Sequence, residues 1–283
     1  MSRLTDTLKR RTEIDLRGSL RVAAGSAVVL RWGRGQANWG DALNPVLAEY
    51  ISGKPTYPYQ AIANFRNRPV YSVIGSILDS SAIRNQVVWG SGFMYRTGTF
   101  RIPPRAVHAI RGPLSREICL KQGIACPEIY GDPALLLPRF YQPEETPKYE
   151  LGIVAHIVDA DNPFLERLAV QPQVTVIDIR TEVHEFVNLL AQCRAIASSS
   201  LHGLIAADAY AIPSVWVQMS DRVLGDGFKF QDYFASIGRE CTGPLIIERE
   251  TTLSEITDHL AGPNIDIDLD ALLDACPFLP TGD

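Results

Sequence analysis

The sequence predicts an α/β protein made of two Rossmann-like domains, whose parallel sheets face each other across a cleft. Its 283 residues correspond to two domains at about 150 residues each. Short β-rich runs alternate with longer amphipathic stretches, as in parallel sheets covered by helices. Residues 138–149 contain three prolines and several charges without periodicity, which indicates an interdomain linker. We therefore expect an N-terminal α/β domain in residues 1–140 and a C-terminal α/β domain in residues 150–283.

The elements of the first half are predicted from apolar runs that end near glycine. One helix is expected at about 42–51, after a glycine-bearing loop. A second helix is expected at 113–122, because Pro113 suits the first helical position and Gly123 follows the last one. The strand-like runs are residues 27–32, 69–76, 86–92 and 106–112.

The second half repeats a unit of strand, loop and helix more regularly. This repeat is the pattern of a parallel sheet, in which each strand is followed by a crossover helix. The predicted strands are residues 151–157, 174–179, 195–199 and 213–218, with 244–248 as a candidate fifth. The predicted helices are residues 182–192, 201–211, 229–237 and 252–261.

Composition excludes several classes of protein. The chain carries 27 Lys and Arg against 32 Asp and Glu, a net charge of −5. We do not expect nucleic-acid binding, since it depends on an excess of basic charge. The five cysteines are an odd number, without a CxxC motif or a histidine at metal-ligand spacing. Neither a disulfide framework nor a metal site is expected.

The N-terminal segment and the apolar runs indicate where in the cell the protein is expected. Residues 1–18 carry charges but no apolar core, so no secretory signal is expected. No run approaches the roughly 20 apolar residues of a membrane span. We expect a cytoplasmic protein. Lys9 to Arg11, with Arg17, allow peripheral contact with anionic lipid, and a solvated charged surface is the simpler explanation.

Candidate functional residues follow the predicted strands, because ligands of parallel sheets bind at the carboxyl ends of strands. In SSSLHG at 198–203 a strand turns directly into a helix and offers hydroxyls and backbone N–H groups to an anion. His202, in that first turn, can bind phosphate or transfer a proton, and a structurally hydrogen-bonded histidine is the alternative. Arg111 can clamp a carboxylate or phosphate, with a surface ion pair as the alternative.

Three further residues have structural as well as functional interpretations. Asp41 can cap the helix that follows it, and Asp132 can hold the Gly-Asp-Pro turn at 131–133. Lys229 opens a predicted helix, where a cation opposes the helix dipole unless an anion is nearby.

The aromatic residues Phe230, Tyr233 and Phe234 at helical spacing are expected to pack in the core. No dinucleotide fingerprint, P-loop, GxSxG or HExxH motif occurs.

An ordered series of motifs over residues 30–240 resembles the polysaccharide pyruvyl transferase family. The series is NWGDALNP, VIGSIL, VVWGSGF, HAIRGPLS, YGDPALLLP, SSSLHGLIAADAYAIP and FKFQDYF. The resemblance implies a fold like that of glycosyltransferases of the GT-B type. It also implies transfer of the enolpyruvyl group of phosphoenolpyruvate to a sugar of an exopolysaccharide or capsule precursor, with a pyruvate ketal, usually 4,6-linked, as product and phosphate released. No cofactor is implied, because phosphoenolpyruvate is the donor substrate.

The resemblance also assigns roles to individual residues. Arg111 matches the arginine of the family's Arg-Gly element, and His202 matches the histidine of its Leu-His element, both associated with phosphoenolpyruvate. Many members carry arginine two residues before that histidine, whereas this chain has Ser200. We expect Lys229 to supply the missing cation. The expected catalytic residues are His202, as acid or phosphate donor, with Asp41 or Asp132 as acceptor-binding residue or base. The expected donor-binding residues are Arg111, Ser199, Ser200, His202 and Lys229, and the expected acceptor-binding residues are Asn38 and Asp41.

These expectations place the acceptor on the N-terminal domain and the donor on the C-terminal domain, with Arg111 and His202 meeting across the cleft. The acceptor is expected to be a lipid-linked glycan, which would place the protein at the inner face of the cytoplasmic membrane. Two alternatives remain open: a nucleotide-sugar glycosyltransferase of the same architecture, and a noncatalytic carbohydrate-binding protein.

Overall fold

The first half of the chain forms a five-stranded sheet. The computed structural model describes residues 15–33, 38–63, 68–262 and 265–280. In the sheet the strands lie in the order β2-β1-β3-β4-β5, and every neighbouring pair is parallel. The strands are β1 Val28–Arg31, β2 Thr56–Pro58, β3 Val70–Ser72, β4 Gln86–Trp89 and β5 Ala106–Ala109.

The second half forms another five-stranded parallel sheet, in the order β10-β9-β8-β6-β7. Counted from its own first strand, this order is the same as that of the first sheet. Both halves are therefore doubly wound, consistent with two Rossmann-like domains. The strands are β6 Leu151–Val154, β7 Val174–Val176, β8 Ile196–Ser198, β9 Ser214–Gln218 and β10 Leu245–Ile246.

The predicted helices are confirmed, with corrected ends. The helix predicted at 42–51 begins at Trp39, because Asn38 and not Asp41 is its N-cap. The helix predicted at 252–261 ends at Thr257, since Ala261 leaves the helix to pair with the backbone of Ser214. The helices of the described residues are α1 Leu16–Ala23, α2 Trp39–Ser52, α3 Pro113–Lys121, α4 Pro163–Ala169, α5 Val183–Ala191, α6 Leu201–Ala209, α7 Phe228–Ser236, α8 Leu253–Thr257 and α9 Leu269–Asp274.

Some elements were not predicted from the sequence. Strand β2 has three half-buried residues, lies at the edge of its sheet and ends in Pro58, a residue that only edge strands tolerate. Helix α1 follows Asp15, whose carboxylate accepts from Gly18 N at 2.8 Å. Only Gly18 and Val22 of α1 are buried, so its apolar face gives a weak sequence signal. Helices α4 and α9 were also missed.

The two halves are in direct contact. The indole nitrogen of Trp39 donates to the carbonyl oxygen of Val183 at 3.1 Å. Residues 265–280 return to the first sheet, where the carbonyl oxygen of Leu272 accepts from the indole of Trp89 at 2.8 Å and the Phe278 ring packs on Trp89. The domain boundary, the cleft and the likeness to the GT-B type stay predictions. None of the helices in the described ranges has the length and apolar character needed to cross a membrane.

Candidate functional site

The predicted site residues lie in the loops that follow strands of both sheets and in the first turns of the helices after them. The order of each sheet reverses between β1 and β3 and between β6 and β8, and ligands bind beyond the carboxyl ends of such strands. After β1, the backbone N–H of Gly33 donates to Asp41 Oδ1 at 3.1 Å. After β6 and β8, the backbone N–H of His156 donates to the Ser199 hydroxyl at 2.9 Å.

Asp41 holds the side-chain amide of Asn38 in one orientation. Asn38 Oδ1 accepts from the backbone N–H of Asp41 at 3.1 Å, and Asn38 Nδ2 donates to Asp41 Oδ2 at 2.5 Å. Exchanging the amide oxygen and nitrogen would break both bonds, since an N–H can only donate and a carboxylate can only accept. The Oδ1 atom also lies 3.1 Å from Nδ1 of His202. Nδ1 of His202 therefore carries the imidazole proton.

The second ring nitrogen of His202, Nε2, is buried and has no hydrogen-bond partner among the described residues. Burial, together with the positive charges of Lys229 and Arg111, lowers the pKa of His202 to about 3. The imidazole is therefore neutral near pH 7 and presents a lone pair at Nε2. This arrangement suits a general base better than the acid or phosphate donor expected from the sequence.

Gly40 makes room for this imidazole at the start of α2. A Cβ atom at position 40 would lie 2.2 Å from Cε1 and Nδ1 of His202. Any side chain there would displace the ring from Asn38. The glycine of the NWGD motif is therefore explained by close approach between the two halves.

Lys229 lies at the start of α7 with no counterion among the described residues. Lys229 is 6% exposed, and its ammonium forms no hydrogen bond or ion pair with the described residues. The ammonium lies 5.3 Å from the centroid of the Phe230 ring. Burial and the charge of Arg111 lower the pKa of Lys229 to about 8. A buried cation at a helix N-terminus is unfavourable unless an anion binds there.

His156 is a site residue that the sequence analysis missed. It follows β6, whereas the prediction placed it inside a strand at 151–157. Its Nδ1 accepts from the backbone N–H of Val158 at 3.3 Å, so the proton is on Nε2. Burial and the charge of Lys229 lower the pKa of His156 to about 4. His156 thus presents an N–H donor, the opposite of what His202 presents.

Arg111 is completely buried, and its guanidinium is already hydrogen-bonded. Nε donates to Asp232 Oδ2 at 2.9 Å, Nη1 to the Ser76 hydroxyl at 2.5 Å and Nη2 to the Phe93 carbonyl oxygen at 2.6 Å. The alternative interpretation of Arg111, a surface ion pair, is wrong, because Arg111 and its partner Asp232 are both buried. A direct clamp on the donor stays a prediction, and it requires one of these bonds to be exchanged for a bond to substrate.

Gly92 is required beside Arg111 for the same reason as Gly40. A Cβ atom at position 92 would lie 2.5 Å from the central carbon of the guanidinium. The ion pair also joins the halves, since Asp232 lies on α7 and Arg111 follows β5.

The other predicted site residues differ in how far their side chains are already hydrogen-bonded to the protein. The Ser199 hydroxyl donates to Asp159 Oδ2 at 3.0 Å and accepts from His156 N, so it is committed to the protein. Ser200 precedes α6, and its side chain does not cap that helix. Asp132 holds its turn as predicted, accepting from Ala134 N at 3.0 Å. Its other oxygen is buried without a partner among the described residues, and burial raises the pKa of Asp132 to about 6.

The family model described as polysaccharide pyruvyl transferase matches residues 49–221. This range contains Arg111, Asp132, His156 and His202. The chain is 32% identical over 248 residues to the uncharacterized protein L143 of Acanthamoeba polyphaga mimivirus, covering 82% of each protein.

Two further similarities were found. The chain is 27% identical over 218 residues to the succinoglycan biosynthesis protein ExoV of Rhizobium meliloti (strain 1021). This match covers 73% of the chain and just under two thirds, 64%, of that relative. The solved structure of the functionally uncharacterized protein KP1_0663 from Klebsiella pneumoniae subsp. pneumoniae NTUH-K2044 matches with 13% identity and a TM-score of 0.48, over 82% of this chain and 98% of that one.

Proposed function

Because the chain belongs to the polysaccharide pyruvyl transferase family, we propose that it transfers the enolpyruvyl group of phosphoenolpyruvate to a sugar of an exopolysaccharide precursor. The products are phosphate and a pyruvate ketal, with a 4,6-linkage expected. The observation that carries the proposal is the ammonium of Lys229, buried without a counterion among the described residues. It lowers the pKa of both His202 and His156, so these groups belong to one site.

The donor binds through this cationic centre. Lys229 neutralises one anionic group of phosphoenolpyruvate, and the N–H of His156 Nε2 donates to another. The first turn of α6, which no side chain caps, adds backbone N–H donors. Arg111 contributes positive charge from its buried position. Lys229 thereby takes the place of the arginine that many family members have at the position of Ser200.

The chemistry follows from a neutral His202 with its lone pair at Nε2. Asp132, whose pKa is raised to about 6, donates a proton to C3 of the enolpyruvyl group, which makes C2 electron-poor. A sugar hydroxyl then attacks C2 while Nε2 accepts the hydroxyl proton. The bond from C2 to the phosphate oxygen then breaks, and a second hydroxyl closes the ketal. Of the two hydroxyl protons, one ends on C3 and the other leaves with phosphate, so the reaction needs no net proton source.

The remaining site residues position these groups. Asn38 and Asp41 hold His202 and, at the expected acceptor side, lie next to the attacking hydroxyl. Asp132 is the further titratable group, with one buried oxygen free for a substrate or a proton. No step is assigned to a metal or to a cofactor.

A lipid-linked acceptor at the inner face of the cytoplasmic membrane would place α1 near the bilayer. Leu16 and Leu20, one turn apart, are 71% and 72% exposed, beside Arg17 and Arg21. Exposed leucines next to arginines suit an anionic membrane surface. Sedimentation with vesicles of anionic lipid checks this contact: Leu16→Glu with Leu20→Glu should abolish it, and binding that survives both changes contradicts it. Lys9 to Arg11 lie outside the described residues.

Phosphate release tests the function directly. The protein is incubated with phosphoenolpyruvate and a panel of glucosides and galactosides, and phosphate and product mass are followed. Release that depends on an acceptor, with a pyruvylated product, is expected; Lys229→Met and His202→Gln should lose it while remaining folded. Consumption of a nucleotide sugar instead would establish the glycosyltransferase alternative, and glycan binding without donor turnover would establish a noncatalytic role.

A further inference from the structure

Two cavities adjoin each other beside the cationic centre. The first, about 290 Å³, lies beyond the carboxyl end of β9 and is lined by Trp216 and Gln218, among others. The second, about 330 Å³, is lined by Tyr95 from the loop after β4. Asp226 and Gln231 line both cavities. We call the pair the Trp216–Tyr95 groove; it takes residues from both halves of the chain.

The charges of the first cavity do not suit an anion. No lysine, arginine or histidine is among its lining residues, whereas Asp221 and Asp226 contribute two carboxylates. Phosphate or pyruvate would be repelled there. In the second cavity the guanidinium of Arg96 is engaged, donating to Gln231 Oε1 at 3.0 Å and lying over the Phe228 ring. An uncharged, polar ligand fits this groove better than the phosphoenolpyruvate donor.

Aromatic rings line both cavities of the groove. Trp216 stacks on Phe230, with ring centroids 4.3 Å apart and an interplanar angle of 11°, and Phe230 is itself buried. Tyr95 is 38% exposed. Aromatic faces are electron-rich and attract the polarised C–H groups on one face of a sugar ring. Rings held rigidly in this way bind at a low cost in side-chain entropy.

Polar groups between the rings offer both donors and acceptors. Gln218 Nε2 donates to Asp221 Oδ1 at 2.9 Å, which orients both side chains and leaves Asp221 Oδ2 without a partner among the described residues. Gln231 accepts from Arg96 through Oε1, so its Nε2 remains a donor. Neighbouring hydroxyls of a sugar need such a mixture, because each one both donates and accepts.

The groove continues from the donor site. Ser199 lines the first cavity and precedes the start of α6. Phe230 stacks on Trp216 and lies 5.3 Å from the ammonium of Lys229. We propose that the Trp216–Tyr95 groove binds the uncharged part of the glycan acceptor, over at least two sugar residues. This inference rests on the proposed function. Each cavity is near the lower end of the roughly 300–1,000 Å³ typical of small-ligand sites, so each accepts about one ring.

Binding without donor tests the groove separately from catalysis. The probes are neutral gluco- and galacto-oligosaccharides of one to four residues, and the measurement is calorimetry on the full chain. Affinity should rise with length up to two or three residues and then level off. Trp216→Ala should weaken binding of every length by about 3- to 10-fold. Tyr95→Ala should remove only the gain from the added residues.

Control variants keep the test interpretable. Tyr50, 41% exposed, lies outside the groove, and Tyr50→Ala should leave binding unchanged. Asp221→Asn alters an exposed side chain and should weaken binding even if Trp216→Ala does not fold. Affinity that is independent of length, or unchanged in Asp221→Asn and Tyr95→Ala, overturns the inference. A free nucleotide that competes for the first cavity also overturns it.

The phosphate assay separates the two proposals. If the groove inference alone fails, acceptor-dependent phosphate release continues and the groove variants have the same KM for long and short acceptors as the unaltered protein. If the proposed function alone fails, no phosphate is released with any acceptor, and binding still increases with oligosaccharide length.

Discussion

Nδ1 of His202 lies 3.1 Å from Oδ1 of Asn38, although 164 positions separate the two residues in the chain. One half of the molecule thereby selects the tautomer of an imidazole that belongs to the other half. Neither residue has the proposed chemistry alone, since without Asn38 the imidazole proton could occupy either nitrogen.

Removing the Asn38 amide should therefore slow turnover more than it weakens donor binding. In Asn38→Ala the imidazole is no longer held with its lone pair at Nε2, and we expect kcat to fall about 10²-fold with little change in KM for phosphoenolpyruvate. Asn38→Asp keeps an acceptor for Nδ1 and should recover part of this loss. Its added negative charge should raise the pKa of His202 and shift the acidic limb of kcat/KM to higher pH. Equal kcat in Asn38→Ala and the unaltered protein would exclude a role of Asn38 in fixing the tautomer of His202.

The affinity for phosphoenolpyruvate should fall above about pH 8. The pKa of Lys229 is lowered to about 8 in the empty site, and only the ammonium attracts an anion. As pH rises through this value the free protein loses the charge, so Kd should increase by up to tenfold per pH unit. Calorimetric titrations between pH 7 and 10 measure this.

Two variants at position 229 serve as controls. Lys229→Arg retains its charge over this range, so its Kd should stay level. Lys229→Met should bind about 10- to 100-fold more weakly at pH 7, the usual loss for a charged hydrogen bond. A Kd that is unchanged in Lys229→Met would remove Lys229 from the donor site.

Asp132→Asn should stabilise the fold at neutral pH. Burial raises the pKa of Asp132 from 3.8 to about 6, so between these values the folded state binds more protons than the unfolded chain. The free energy of unfolding therefore falls as pH rises from about 4 to 6 and then levels off. The cost of the buried carboxylate above pH 6 is on the order of 3 kcal/mol.

Urea denaturation of Asp132→Asn checks whether the free energy of unfolding rises as expected. We expect a gain of about 1–3 kcal/mol at pH 7.5 and little difference near pH 4, where the carboxyl is protonated in both states. Activity should fall in the same variant, as is common when a buried functional residue that destabilises the fold is replaced. A loss of stability at pH 7.5 would contradict the argument.

The buried ion pair between the halves should behave as one unit. Arg111→Met or Asp232→Leu alone leaves a buried charge without its partner, at a cost of about 3–5 kcal/mol. The double variant removes both charges, so its loss should be smaller than the sum of the two by more than about 1 kcal/mol. Arg194→Met is the matched control, because Arg194 and Glu150 are each 62% exposed; it should change stability by less than about 1 kcal/mol. Additive losses at Arg111 and Asp232 would refute the coupling.

The regular elements could largely be predicted, because apolar runs alternate with amphipathic ones. The aromatic residues Phe230, Tyr233 and Phe234 pack in the core as predicted. The predicted strands at 69–76, 86–92, 106–112, 151–157 and 174–179 were too long, since each sequence run continues three or four residues into the loop that follows its strand.

The site could be predicted only in part. His202 was singled out because a strand turns directly into its helix, and Lys229 because it begins a helix after a glycine-bearing loop. His156 was missed because it continues an apolar run that resembles a strand. Asp232 was missed because an acidic residue within a helix gives no local signal of a partner, and only the folded chain brings its carboxylate to Arg111. Long-range partners of this kind leave no local pattern.

The return of residues 265–280 to the first sheet has a consequence for how the chain folds during synthesis. Leu272, which accepts from Trp89 183 positions earlier, leaves the ribosome only after every strand of the second sheet. The first half therefore emerges with part of its core uncovered, although domains made early normally fold as units. Its core is completed only when residues 265–280 emerge, so the apolar surface around Trp89 stays uncovered until then.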